Sequence, residues 1–157
     1  MAFSLNDLKK EYEELAKRYK LPDFKEINEN FEIEKIDRET DCLARAVRKV
    51  IMEKIVNSLG FIELLLNPVN VPRMYVPFIK TMTLDNKKEM ERIYNALSEV
   101  VLAALELEMD YDEKKEAEAI IKANEKWKSI KPGFKKIVGS IKNPPVFNGD
   151  KSKGYFG

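Results

Sequence analysis

The stretch that decides the fold is residues 83–105, TLDNKKEMERIYNALSEVVLAAL. Apolar side chains recur in it every three or four positions, which is the spacing that places them on one face of an α-helix. Thr83 or Asp85 suits the N-cap, because a short polar side chain there accepts a hydrogen bond from the first helical turn. We predict a long core helix. Its apolar face comprises Met90, Ile93, Tyr94, Leu97, Val100, Val101, Ala104 and Leu105.

The same periodicity recurs N-terminal to this stretch. Ser4 followed by Asp7 is a capping-box pattern that predicts the start of a first helix, and Pro22 ends that helix because proline disfavours helical backbone at the residue before it. A long central helix is predicted from about Glu39 to Leu66. Its apolar positions are Leu43, Val47, Val50, Ile51, Ile55, Leu59, Ile62 and Leu66.

Two further helices are predicted towards the C-terminus. Asp110 with Glu113 forms another capping-box pattern, which predicts a helix running through Trp127. After a short break, Pro132 suits the first turn of a last helix, because proline is tolerated where no backbone donor is needed. The sequence Asn143-Pro144-Pro145 should stop that helix.

The remaining segments lack a regular pattern. Residues 23–38 are read as short helical turns and an extended stretch, and Pro68, Pro72 and Pro77 predict an irregular loop over residues 67–78. No run alternates apolar and polar residues as a strand would. The prediction is therefore an all-α, single-domain irregular bundle of about five helices over residues 1–142, with a Pro-rich internal loop and an irregular, basic C-terminal tail at residues 143–157.

The composition limits which cellular compartments suit the protein. The longest stretch without a charge, residues 64–72, is nine residues long, whereas a membrane-spanning helix needs about 20 apolar residues. Charges in the first eleven residues interrupt any apolar signal-peptide segment. Cys42 is the single cysteine, so no disulfide can form within the chain, which suits a reducing compartment. We therefore expect a cytoplasmic protein without a transmembrane segment.

The chain of 157 residues contains no histidine, which removes several kinds of catalysis together. Ser-His-Asp and Cys-His nucleophiles, His-ligated zinc and Glu-x-x-His di-iron sites all need that side chain. The six glycines form no phosphate-binding loop. We therefore predict a protein that is not an enzyme, with no catalytic residue and no cofactor.

A carboxylate site for Mg²⁺ is the remaining enzymatic alternative, because hard divalent cations take oxygen ligands and need no histidine. Glu106, Asp110 and Glu113 share one helical face if a single helix runs through them. They are the candidate metal ligands of an Mg²⁺-dependent all-α phosphohydrolase. The competing interpretation is a solvated acidic turn in which Glu113 serves as a capping residue.

Positive charge is concentrated after residue 121, although the chain as a whole has 28 basic and 27 acidic side chains. Residues 122–157 contain nine lysines and two acids, Glu125 and Asp150, and aromatic residues stand among the lysines. Such an arrangement is typical of surfaces where cations meet phosphates and rings meet bases or apolar groups. The lysines chosen as candidate binding residues are Lys126, Lys128, Lys131, Lys135, Lys136, Lys142, Lys151 and Lys153.

Three interpretations of this segment remain open. It can contact RNA or DNA without sequence specificity, since lysine lacks the bidentate base recognition of arginine. It can bind an acidic protein or an anionic membrane surface. It can also complement the acidic remainder of its own fold, for example the acids of residues 23–39, in which case it binds no partner.

The Pro-rich loop is the second candidate surface. Its apolar residues include Met74, Tyr75 and Phe78, and long irregular loops are often functional. Either the loop folds back onto the bundle or it presents these three side chains to a partner. The function that we predict is a non-catalytic helical interaction protein that docks onto a protein or ribonucleoprotein through this loop and the lysine-rich segment. Self-association into a homo-oligomer stays open at this level.

Overall fold

The computed structural model describes residues 2–144, and this part of the chain is all-α, as predicted. Two short 3₁₀ turns, Ile33–Lys35 and Arg73–Tyr75, connect some of the helices. The six helices are α1 (Leu5–Tyr19), α2 (Phe24–Phe31), α3 (Leu43–Leu66), α4 (Val76–Thr81), α5 (Leu84–Leu107) and α6 (Glu113–Lys142). The predicted tail at residues 143–157 lies outside the described residues from Pro145 onward.

Three long helices, α3, α5 and α6, form the centre of the bundle. Near the start of α3, Arg45 donates to the Leu107 carbonyl at the end of α5, and Arg48 contacts Glu116 in the first turn of α6. Near the end of α3, the Phe61 ring lies 5.7 Å from that of Phe134 on α6. Helices α3 and α6 are therefore parallel, and α5 runs antiparallel to both.

The predicted apolar faces form this core. Most side chains on α3 and α5 that the periodicity selected are buried or half-buried, and a single cluster connects them to α6. Leu105, predicted on the buried face of α5, is instead 59% exposed. The fully enclosed members on these helices include Val47, Ile51, Ile55, Ile62, Met90, Ile93, Leu97, Ile120 and Ile130.

The segment 23–38 is part of the core. Helix α2 buries Phe24, Ile27 and Phe31, and the following 3₁₀ turn buries Ile33. Because the Phe31 ring lies 5.7 Å from that of Trp127, α2 covers the middle of α6.

The predicted N-caps are confirmed at two helices, and the predicted N-cap of a third helix is wrong. Ser4 and Asp7 form the predicted capping box of α1, and Thr83, the first of the two suggested caps, starts α5 with Asn86. The N-cap of α6 is Asp112, which accepts from the Lys115 backbone N–H at 3.1 Å, and not Asp110. Asp110 instead lies in the turn between α5 and α6, beyond the last hydrogen bonds of α5.

The predicted break before Pro132 is wrong, because α6 continues through it as one helix of 30 residues. Proline lacks the backbone N–H that would bond to the Lys128 carbonyl, which weakens the helix locally. Ile130 and Ile137 are nevertheless both buried, at 0% and 1% exposure. Their packing on either side of Pro132 keeps the helix continuous at the cost of one missing hydrogen bond.

The loop prediction needs a smaller correction. A short helix, α4, begins at Val76, although residues 67–78 were predicted to contain no regular helix. Pro77 stands in its first turn, where the missing donor has no helical partner in any case. Within residues 2–144, no helix is both long enough and apolar enough to span a bilayer.

Candidate functional site

The lysines of α6 line a groove against α2. The groove has a volume of about 570 Å³ and an open mouth. Its walls carry charges of both signs, which distinguishes it from a purely cationic phosphate site. The residues around it are Glu26, Glu29, Asn30, Lys128, Lys131, Pro132 and Lys135.

Three of the lysines are paired with acids of the same chain. Lys122 and Lys126 lie 2.9 and 3.3 Å from the two oxygens of Glu99 on α5, and Lys128 lies 2.8 Å from Glu26 on α2. The hydrogen bond from Lys122 is the main reason that the pKa of Glu99 is below its ordinary value. These three lysines are therefore paired within the fold, as expected if the segment complements the acids of its own chain.

Two half-buried lysines, Lys131 of the groove wall and Lys54 on α3, contact Asn30. Lys131 Nζ is 3.4 Å from Asn30 Oδ1, and Lys54 Nζ donates to the Asn30 carbonyl while lying 5.3 Å from the centroid of the Trp127 ring. Burial lowers the pKa of Lys54, and the nearby charge of Lys131 lowers it further, against an opposing effect from Glu32. The ammonium groups of Lys54 and Lys131 therefore contact the backbone and side-chain oxygens of Asn30.

The C-terminal lysines of α6 differ from those at its start. Lys135, Lys136 and Lys142 are exposed, and within residues 2–144 no carboxylate oxygen lies within 4 Å of their ammonium groups. Lys136 is close enough to Glu89 to contribute to lowering the pKa of that carboxyl group. Lys151 and Lys153 lie outside the described residues.

The aromatic residues beside these lysines form a packed row. Consecutive ring centroids are 5.7 to 6.3 Å apart from Phe31 through Trp127, Phe134 and Phe61 to Tyr75. Trp127 is 5% exposed, and its indole N–H has no hydrogen-bond partner. Since these rings pack tilted or edge-on against one another, they leave little open face for a nucleic-acid base.

The three residues of the Pro-rich loop that were predicted to contact a partner differ in their exposure to solvent. Met74 is 66% exposed, while Phe78 is 1% exposed and belongs to the core. Tyr75 is half-buried, with its ring edge-on to Phe61. The prediction that Phe78 is presented to a partner is therefore wrong, because its ring anchors α4 to the bundle.

A second exposed side chain accompanies Met74. Val69 is 64% exposed, and its N–H donates to the Asn67 carbonyl at 2.8 Å. Asn70 adopts a left-handed backbone with φ of 58°, and Thr81 Oγ1 donates to the Pro77 carbonyl at 2.7 Å. We call Val69, Met74 and the backbone between them the loop surface, which these turns and the neighbouring prolines hold in shape.

The end of the bundle that carries the loop surface is positively charged. Residues 60–90 and 131–144, where α3 and α6 end and α5 begins, contain eight basic and three acidic side chains. The other described residues contain 18 basic and 23 acidic side chains. We call the first of these regions the basic end, and the net charges of the two regions are +5 and −5.

The carboxylates proposed as Mg²⁺ ligands are not brought together as a site. Glu113 Oε1 accepts from Arg18 at 2.6 Å and from the Tyr19 hydroxyl at 2.7 Å, while Glu106 and Asp110 are exposed. Over residues 2–144, no three acidic or cysteine side chains are grouped so that they could hold a metal ion. Glu113, the first residue of α6, is thus used for an ion pair with Arg18.

Sequence reasoning missed the main polar contact of the bundle. Glu116 is completely buried and accepts from both Arg45 and Arg48, while Arg48 also contacts Glu108 at 2.6 Å. The guanidinium of Arg45 also lies 5.1 Å from the Tyr111 ring. No local pattern signals these contacts, because α3 and α6 are far apart in the chain.

Comparison with known proteins supplies no further constraint: no family model, curated protein sequence or solved structure matches the chain.

Proposed function

We propose that the chain is a non-catalytic helical interaction protein that docks onto an acidic protein, either alone or within a ribonucleoprotein, through the loop surface. The observation that carries this proposal is the exposure of Val69 and Met74 in a backbone held by prolines and by the buried Phe78 ring. A preorganised loop loses less conformational entropy on binding than a mobile one. Exposed methionine is also enriched at protein interfaces, where its flexible thioether adapts to the partner.

The charge of the basic end supports a partner that carries acidic residues. A surface with eight basic and three acidic side chains favours a partner that carries acidic residues beside apolar ones, because complementary potentials speed encounter and disfavour other partners. Lys135 and Lys142 are the α6 lysines that we assign to this role. Lys122, Lys126 and Lys128 are excluded from it, since their charges already meet carboxylates.

Sequence-non-specific binding of RNA or DNA is the alternative function for the same cations. It depends on several free lysines along a phosphate track and on accessible rings for stacking. The three paired lysines of α6 and the packed aromatic row both reduce what this surface offers to a nucleic acid. We therefore rank docking to a protein first.

A photo-cross-linking experiment tests the proposal. Met74 is replaced by the photoreactive residue p-benzoylphenylalanine, and the matched control carries it at Val56, which is 48% exposed on α3. After irradiation in the source cells, position 74 should give a discrete protein adduct that position 56 does not give. Lys135→Glu combined with Lys142→Glu should weaken this adduct.

Two results would overturn the proposal. One is an adduct at position 74 that contains RNA or DNA and disappears after nuclease treatment, which would favour the alternative function. The other is the same set of adducts at positions 74 and 56, which would mean that the loop surface has no specific partner.

A further inference from the structure

Lys54 and Lys131 bring two ammonium groups to the same residue, Asn30. Lys54 donates to its backbone carbonyl from α3, and Lys131 lies 3.4 Å from its side-chain oxygen on the α6 side. Within residues 2–144, no carboxylate oxygen lies within 4 Å of either ammonium group. Both side chains are half-buried, and a partly desolvated charge is costly when it has no counter-ion. The two lysines therefore form a local excess of positive charge.

This excess affects the protonation of Lys54. Burial is the main cause that lowers its pKa, and the charges of Lys131 and Lys35 lower it further, whereas the charge of Glu32 opposes them. An anion beside the two half-buried lysines would oppose the lowering as well, because a nearby opposite charge favours the protonated amine. Anion binding and protonation of Lys54 should thus support each other.

Hydrogen-bond donors outnumber acceptors around these lysines. The Trp127 ring, whose centroid lies 5.3 Å from Lys54 Nζ, has an indole N–H without a partner among the described residues. The side-chain amide N–H of Asn30 is already used, since it donates to Asn124 Oδ1 at 3.0 Å. A ligand that has only acceptor oxygens suits such surroundings.

The groove between α2 and α6 gives an anion access to Lys131. Its volume of about 570 Å³ is within the range of small-molecule sites, about 300–1,000 Å³. Lys131 and Lys135 are four residues apart and lie on the same side of α6. The groove residues include three lysines and two glutamates, a net charge of +1, and Lys54 raises this to +2. A dianion matches that charge better than a single carboxylate does.

We propose that the groove binds the phosphate group of a small phosphomonoester. Lys131 is the main contact, and Lys54 and Lys135 supply further positive charge. A phosphomonoester carries a charge of about −1.5 to −2 at pH 7 and three acceptor oxygens. Lysine is a common phosphate ligand, which acts as a point charge.

The acids on the α2 wall favour a small ligand over a nucleic acid. Glu26 is neutralised by Lys128 at 2.8 Å, but Glu29 is exposed and has no ion pair among the described residues. A nucleic-acid strand along the groove would bring several phosphates past Glu29, whereas a single phosphate at Lys131 avoids it. The proposal does not rest on the docking function, because neither Lys54 nor Lys131 belongs to the loop surface.

The single tryptophan of the chain provides the measurement. Glycerol phosphate is added at constant ionic strength in exchange for sodium chloride, and a saturable change in Trp127 fluorescence is expected. Lys131→Met should weaken binding at least about tenfold, because it removes a charge-assisted contact. The control Lys136→Met removes the same charge from an exposed α6 lysine outside the groove and should leave binding nearly unchanged. Circular dichroism melts check that both variants are folded.

Glu29→Gln should act in the opposite direction. Removing this exposed acid should tighten the binding of inorganic phosphate at least about twofold without loss of the fold. The proposal would be overturned by the absence of a saturable change with millimolar glycerol phosphate, by equal effects of Lys131→Met and Lys136→Met, or by weaker phosphate binding in Glu29→Gln. A single-stranded oligonucleotide that binds more tightly than glycerol phosphate and depends equally on Lys131 would assign the groove to nucleic acid instead.

Discussion

Arg48 on α3 and Glu116 on α6 form an ion pair that excludes water from both side chains. Arg48 Nε lies 2.7 Å from Glu116 Oε2, and the side chains are 3% and 0% exposed. A second hydrogen bond joins Arg48 Nη2 to Glu116 Oε1 at 3.1 Å. Since Arg45 donates to the same carboxylate at 3.0 Å, Glu116 fixes the beginning of α6 against two successive turns of α3.

Removing the carboxylate alone should be costly. Glu116→Ala leaves the Arg48 guanidinium buried without its main partner, and we expect a loss of about 3–5 kcal/mol in the free energy of unfolding. Replacing both residues, as in Arg48→Met with Glu116→Leu, should cost much less, because no charge then remains buried. Urea denaturation of the two variants measures the difference. Equal losses would mean that the pair acts only through packing.

The ion pair between the N-terminal helix and α6 should make stability depend on pH. The pKa of Glu113 lies below its ordinary value of 4.5, chiefly because the Tyr19 hydroxyl donates to it and also because Arg18 does. A carboxyl group with a lowered folded-state pKa stabilises the protein above pH 4.5 and loses this contribution as the pH falls towards the folded-state value. Glu113→Gln should therefore be less stable than wild type at pH 7 and closer to it at pH 3.

The matched control for this pH dependence is Glu118→Gln, because Glu118 is an exposed α6 carboxylate without an ion pair among the described residues. Urea denaturation at pH 7, 4.5 and 3 should show the converging difference for position 113 alone. If the two variants track each other across this range, the Arg18 and Tyr19 contacts do not carry the effect.

Pro132 should be a site where substitution stabilises the fold. Pro132→Ala restores a backbone donor for the Lys128 carbonyl inside a helix that is already continuous, so we expect a gain of about 1–2 kcal/mol. Part of the gain is offset because proline also restricts the unfolded chain. Pro68→Ala, outside any helix, should give no gain. A lower melting temperature for Pro132→Ala would show that the proline shapes a contact that the core needs.

Gly133 permits a close approach between α6 and α5. A Cβ atom placed there would lie 1.8 Å from Glu89 Oε1, and Glu89 in turn binds Arg92 at 2.6 Å. Gly133→Ala should gain about 0.5–1 kcal/mol in a Glu89→Ala background, where only helix propensity acts. In the presence of Glu89 the gain should be smaller or reversed. A double-mutant cycle from thermal melts measures this coupling, and additive effects would contradict it.

The sequence was informative where the signal is local. Ser4 with Asp7 and Thr83 with Asn86 cap their helices through groups three residues apart, and the apolar periodicity identified most of the buried face of α5. The error at Pro132 has a physical cause, because helix propensity disfavours interior proline while the packing of Ile130 and Ile137 outweighs it. Tertiary contacts also explain why Phe78, apolar and next to a proline, became a core residue.

The candidate binding surfaces could be predicted less well from the sequence than the helices. Residues such as Lys128 and Glu26 are 102 positions apart, so the sequence alone could not separate lysines that pair within the fold from those that remain exposed. The wrong assignment of Leu105 on α5 has a different reason. Leu105 fits the spacing of the buried face but is 59% exposed, and only the packing of α3 and α6 shows which side of the helix is covered.

The covering of α2 by α6 has a consequence for synthesis of the chain. Asn30 and Asn124 hydrogen-bond to each other at 3.0 Å across 94 positions, and Phe31 packs on Trp127. A growing chain therefore completes its first two helices long before their packing partner has been translated. During that interval the apolar side chains of α2 lack their cover, and transiently exposed apolar surface of this kind promotes aggregation.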